Sequence, residues 1–68
     1  MGYEINVALD GKHFFATHER SLQYDEDLRR CLKIFLEKFP ETEGYKISVQ
    51  YIEHYGTNIN IDEFMKGQ

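Results

Sequence analysis

Three histidines are the side chains of this sequence with the clearest potential for metal chemistry. His13, His18 and His54 lie far apart along the chain and lack the close spacing typical of zinc ligands. A zinc site needs about three or four converging ligands. We therefore interpret these histidines as surface residues and expect no metal site.

Nucleophilic or acid–base chemistry could involve Cys31 or the run Asp25-Glu26-Asp27. Cys31 falls inside an apolar helical stripe, where a thiol is inert. The three carboxylates begin the same helix, where negative charge is favourable. The sequence contains no glycine-rich phosphate loop, Ser-His-Asp order or nucleotide fingerprint. We therefore expect no catalytic residue, no cofactor and no enzymatic activity.

The chain has 68 residues, which predicts one small domain spanning residues 1–68. A domain of this size buries only about 60% of the surface that its unfolded chain exposes, so many need a disulfide, a metal or a partner. Cys31 is the only cysteine, which excludes a disulfide within one chain and favours a cytoplasmic setting. No apolar run approaches the ~20 residues that span a membrane.

The charge balance argues against nucleic acid as a partner. Lysine and arginine number 8 against 12 acidic residues, for a formal net charge of −4. Nucleic-acid binders usually carry a basic stripe for the phosphates. Here the basic residues are scattered, and only Arg29, Arg30 and Lys33 form a local group, which we interpret as a solvated helix face.

The first elements are predicted to be two strands joined by Asp10-Gly11. Residues 3–9 alternate apolar and polar side chains, and residues 13–18 form the second strand. A two-residue turn would pair Val7 with Phe14, Ile5 with Ala16 and Tyr3 with His18. A longer turn or a bulge would place Phe15, in place of Phe14, on the core face. Since neighbouring strand residues point to opposite faces, we expect one phenylalanine outside, and we predict Phe15.

The middle of the chain predicts an amphipathic helix over residues 25–39. Asp25 is the expected N-cap, and Pro40 ends the helix. Ile34 and Leu36 are expected to widen its buried arc, with Arg29, Arg30, Lys33 and Glu37 opposite. The buried stripe consists of Leu28, Cys31, Leu32, Phe35 and Phe39.

A third strand is predicted over residues 45–55, with a short strand and tail over residues 57–68. Gly56-Thr57 is expected to make a two-residue turn between them. Asp62 is a candidate cap for a final helical turn that contains Phe64 and Met65.

Together these elements predict an α+β fold, ββαβ(β). A three- to four-stranded antiparallel sheet is packed on one face by a single amphipathic helix. A right-handed crossover gives the strand order 2-1-3. The expected core consists of Ile5, Val7, Phe14, Leu28, Leu32, Phe35, Ile47 and Val49.

The outer face of the sheet is the predicted interaction surface. A turn at Gly56-Thr57 would pair Ile52 with Ile61 and His54 with Ile59, with the three isoleucines facing away from the helix. Alternatively, a bulge near Glu53 or a folded-over tail would turn Ile59 and Ile61 inward. The predicted interface residues are Phe15, Ile52, His54, Ile59 and Ile61.

These observations predict a small acidic protein-interaction or regulatory module. It would bind another protein or a second copy of itself, as a homodimer. A specific form would imitate nucleic-acid charge with its carboxylates. The alternative is a sheet that binds single-stranded nucleic acid by stacking bases on Phe15, which the missing basic groove disfavours.

Overall fold

The computed structural model of the chain describes residues 2–17, 22–53 and 56–66. They form a four-stranded antiparallel sheet and two helices, so the predicted α+β class is confirmed. The strands are β1 (Gly2–Leu9), β2 (Lys12–Ala16), β3 (Tyr45–Ile52) and β4 (Gly56–Ile59). The helices are α1 (Asp25–Lys38) and α2 (Ile61–Lys66).

The strand order is β2-β1-β3-β4, which confirms the predicted order of the first three strands. β1 pairs antiparallel with both β2 and β3. The chain between β2 and β3 contains α1, which covers one face of the sheet with Leu28 and Leu32. The most central pairing of the sheet therefore joins the first strand to a strand late in the sequence.

The first hairpin contains both the predicted turn and a bulge. Asp10 and Gly11 have φ values of 51° and 83°, and Leu9 pairs with Lys12 across a two-residue turn. The register then shifts between Val7 and Ala8, so Val7 pairs with Phe15. The predicted pairings of Val7 with Phe14 and of Ile5 with Ala16 are therefore wrong, and His18 lies outside the described residues.

The second hairpin turns earlier than predicted. Ile52 pairs with Gly56, and Val49 pairs with Ile59. Gly56 and Thr57 belong to β4 and do not form the turn. The predicted pairing of Ile52 with Ile61 is wrong, and so is the assignment of Ile59 to the outer face, because Ile59 shares the face of buried Val49.

The core lies between the sheet and α1. Its buried side chains are Ile5, Val7, Leu22, Leu28, Leu32 and Val49. Phe35 and Ile47 pack against them, whereas Phe14 is 50% exposed, so its placement in the predicted core is wrong. Leu22 was not predicted: it is a lone apolar residue in a polar segment, and its carbonyl accepts from Tyr3 N at 2.7 Å.

The helix ends differ from prediction at their caps. Tyr24 occupies the N-cap of α1 without a side-chain hydrogen bond, so Asp25 is the first helical residue and not the cap. In α2 the N-cap role belongs to Asn60, because its Oδ1 accepts from the backbone N–H of Glu63 at 3.0 Å. The prediction that Asp62 caps this helix is therefore wrong.

Candidate protein-interaction groove

Three of the predicted interface residues lie on the helix-covered side of the sheet. The ring of Phe15 is 5.7 Å from that of Phe35 and 5.4 Å from that of Phe39. Ile59 and Ile61 also pack against the core. The prediction that these three side chains point away from the helix is therefore wrong.

A bulge explains why both phenylalanines of β2 contact the same side. The Phe14 ring lies 5.9 Å from that of Tyr45 and 6.3 Å from that of Phe39. A bulge places two residues of one strand opposite one residue of its partner and so breaks the strict alternation of faces. The resulting cluster of aromatic rings anchors the C-terminal end of α1 to the hairpin end of the sheet.

The open face of the sheet is mainly polar. Asn6 Nδ2 donates to Glu4 Oε1 at 3.1 Å, and Gln50 Nε2 donates to Asn58 Oδ1 at 3.2 Å. Ile52, opposite Gly2 and Gly56, remains on this face as predicted. His54 lies outside the described residues.

The position of α2 depends on Arg29, which was predicted to lie on the solvated face of α1. Arg29 Nη2 donates to the carbonyl of Phe64 at 3.2 Å, and the guanidinium carbon lies 4.6 Å from the centroid of the Phe64 ring. A cation over a ring face is attracted to it, and more strongly when water is excluded. The Nε atom of Arg29 is buried without a hydrogen-bond partner. Arg29 thereby holds α2 beside α1.

A groove runs between α1, α2 and β3, and we name it the α1–α2 groove. It comprises cavities of about 350 and 460 Å³ that share Leu36, Ile61 and Asp62. These volumes fall in the lower part of the ~300–1,000 Å³ range of ligand sites. Its apolar lining consists of Leu36, Phe39, Tyr45, Ile47, Ile59, Ile61 and Met65.

Two predicted interface residues, Ile59 and Ile61, therefore line this groove, although on the opposite side of the sheet from their predicted place. Leu36 is 44% exposed and Ile34 is 53% exposed, so the expectation that these two residues widen the buried arc of α1 is wrong. The sequence signal for Leu36 was its position at the margin of the apolar stripe. The sequence predicted a final helical turn that contains Phe64 and Met65, but no local pattern placed it opposite Leu36.

The rim of the groove carries charges of both signs. Glu41 and Asp62 are acidic, and Lys46 and Lys66 are basic. Within the described ranges, no three metal-ligating side chains come together. The lining is therefore suited to apolar groups, with charged residues available at its edge to orient them.

The pKa of Tyr3 is shifted, and this side chain reaches from β1 to the first turn of α1. The hydroxyl of Tyr3 donates to Asp25, and this bond, with burial and the nearby negative charge, raises the pKa of Tyr3 from 10.0 to about 12. A phenol with a raised pKa stays neutral and is a poor acid catalyst near neutral pH. We therefore assign Tyr3 a structural role.

This geometry defines an α+β sheet protein with an apolar groove on its helical side. No protein-family model, curated protein or solved structure matches the chain. Among the described residues, neither helix has the length and apolar character needed to cross a membrane.

Proposed function

We propose that this protein is a small protein-interaction module that receives apolar side chains of another protein in the α1–α2 groove. The observation that carries this proposal is the exposure of Leu36. Its side chain is 44% exposed on a wall that faces Ile61. Exposed apolar surface framed by charged residues is typical of interaction sites.

The groove suits an apolar side chain better than a polar ligand. Leu36, Ile61 and Met65 present branched and flexible aliphatic groups. Burying one leucine-sized side chain against such a wall contributes about 1.5–3 kcal/mol. Met65 adds adaptability, because an unbranched thioether fits irregular gaps. Because association also costs translational, rotational and side-chain freedom, a partner would need several such apolar residues together with contacts at the charged rim.

The open sheet face has weaker support as the interaction surface. Ile52 is the large apolar residue that remains there among the described strand positions. The nucleic-acid alternative relied on Phe15 as an outward stacking platform, and Phe15 instead contacts Phe35 and Phe39. The acidic balance of the chain also disfavours phosphate binding.

Photo-cross-linking tests this proposal. A variant with p-benzoylphenylalanine in place of Leu36 is expressed in the organism that encodes the protein. Proteins cross-linked to it are identified by mass spectrometry. Ala16, exposed in β2 and outside both cavities of the groove, carries the same probe as a control. The captured protein is then purified and titrated into the wild type by calorimetry.

Leu36→Glu should weaken that binding by about tenfold or more, because a carboxylate would be desolvated against apolar residues. Ala16→Glu introduces the same charge outside the groove and should leave the affinity unchanged. Equal capture from both positions, or binding that Leu36→Glu does not weaken, would show that the groove is not the interaction surface.

A further inference from the structure

A second surface of α1, separate from the groove, has a self-complementary pattern. We name it the β2-side flank: Asp27, Cys31, Ile34 and Lys38. Their spacing of four, three and four residues places them in one row along the helix. We propose that this row is the contact between two copies of this chain, which pair through antiparallel α1 helices. This inference does not depend on the proposed groove function.

The contacts made by the other side of α1 show which part of the fold this flank faces. Arg29 contacts Phe64 of α2, and Leu36 lines the groove with α2. Helical periodicity puts Cys31 and Ile34 on the other side of the buried stripe. Since β2 is the sheet edge opposite β4, this flank faces the β2 edge, away from α2.

The flank is apolar at its centre and accessible. Ile34 is 53% exposed, and Cys31 is half-buried beside it. The large apolar residues that the described part of the chain exposes are Phe14, Tyr24, Ile34 and Leu36. Leu36 belongs to the groove, which leaves three that the groove does not account for. Phe14 and Tyr24 lie near opposite ends of α1, on either side of Ile34 along its length.

The charges of the row select the partner and its orientation. A two-fold axis between Cys31 and Ile34 would place Asp27 opposite Lys38 of the second copy, at both ends of the contact. The same operation would set each Ile34 against Cys31 of the other copy and bring Phe14 toward Tyr24. Parallel helices would instead oppose Asp27 to Asp27, and like charges in contact are unfavourable. The row therefore fits an antiparallel copy of itself.

The helix macrodipole explains the sign of charge at each end but not Ile34 between them. Asp27 pairs with Arg30 within the same helix, and both side chains retain exposure, at 35% and 76%. An exposed pair of this kind contributes little to folding. Asp27 can therefore contact Lys38 of a second copy, either while it keeps its ion pair with Arg30 or in place of that pair.

A charge-exchange experiment tests the pairing by sedimentation velocity at micromolar to millimolar concentration. Asp27→Lys places lysine opposite lysine at both ends of the contact, and Lys38→Asp places aspartate opposite aspartate. Each variant alone should self-associate about tenfold or more weakly than the wild type. An equimolar mixture should form heterodimers with about wild-type affinity, because both ends then oppose Lys to Asp.

The matched control is Lys33→Asp, an equal change of charge at an exposed residue outside the row. It should leave self-association unchanged. If circular dichroism shows that a charge variant is unfolded, Ile34→Glu replaces it in the experiment. This variant should abolish self-association, and it should fold because the side chain of Ile34 is already exposed. A monomeric wild type, an equal effect of Lys33→Asp, or a mixture that fails to associate would overturn the proposal.

Discussion

The hydroxyl of Tyr3 in β1 donates a hydrogen bond to the carboxylate of Asp25 in the first turn of α1. The two residues are far apart in sequence, and this bond ties the start of the central strand to the start of the helix. The backbone N–H of Tyr3 also donates to the carbonyl of Leu22. The segment that enters α1 is therefore attached to β1 at both Leu22 and Asp25.

Tyr3 should make stability depend on pH in the alkaline range. Its pKa is raised from 10.0 to about 12 in the folded state, chiefly by the bond to Asp25. The folded state therefore holds the phenol proton more tightly than the unfolded state. This stabilisation should be complete below pH 10 and should be lost as the pH rises to about 12. Urea titrations across this range measure it.

Tyr3→Phe isolates this contribution. The variant should be less stable at neutral pH by about 1 kcal/mol, because it lacks the hydrogen bond. Its difference from the wild type should shrink as the pH approaches 12. Tyr24→Phe, at a position 69% exposed, is the control and should follow the wild type. A constant difference between Tyr3→Phe and wild type at every pH would contradict the assignment.

Leu32 and Leu36 should respond differently to truncation. Leu32 is fully buried beneath α1, so Leu32→Ala should cost about 2–5 kcal/mol. A domain of this size has only ~3–5 kcal/mol in total, so the variant should be largely unfolded. Leu36→Ala, at a side chain 44% exposed, should melt close to the wild type. Thermal melts by circular dichroism measure both.

The bulge in β2 predicts that truncation of Phe15 destabilises the protein more than truncation of Phe14. Phe15→Ala should destabilise the protein by about 3 kcal/mol, because Phe15 packs between Phe35 and Phe39. Phe14→Ala should cost clearly less, because Phe14 is 50% exposed. Urea midpoints measure the difference. The reverse order would indicate that β2 pairs without the bulge.

Removal of the Arg29 side chain should release α2 without unfolding the sheet. Arg29→Ala loses both the hydrogen bond to the Phe64 carbonyl and the contact with its ring. Amide exchange of residues 61–66 should accelerate, while that of β1 and β3 should be nearly unchanged. Arg30→Ala, at a side chain 76% exposed, is the control. Unchanged exchange in Arg29→Ala would show that α2 is held by other contacts.

The features that sequence predicted well are local. Alternation over residues 3–9, the Asp10-Gly11 pair and the apolar stripe of α1 each depend on neighbours within a few residues. The strand order followed because the connection through α1 restricts how β3 can return. The sequence did not predict the register of β2, because that register depends on a bulge that brings Phe14 to the ring of Phe39 and Phe15 to the ring of Phe35.

The error at Gly56 has a physical cause. Glycine next to threonine indicated a turn, but Gly56 lies within β4. A Cβ atom there would lie 2.9 Å from Gln50 Oε1 and 3.4 Å from Ile52 Cδ1. The end of the Gln50 side chain is flexible and can move aside, so the cause is the strand register: Ile52 pairs with Gly56, which puts the turn before this glycine, and no local pattern reveals that pairing. The groove was missed for a similar reason, because its second wall exists only when Arg29 docks α2.

The pairing of β1 with β3 also determines when during synthesis this chain can fold. Gly2 pairs with Ile52, so β1 leaves the ribosome well before the strand with which it pairs. Until then, the β1–β2 hairpin would expose one edge of β1 beside Ile5 and Val7. Unpaired edges of this kind recruit other chains. A chain that ends before Ile52 is thus the form most in need of a chaperone, and proteolysis of purified chains truncated on either side of Ile52 would reveal the change.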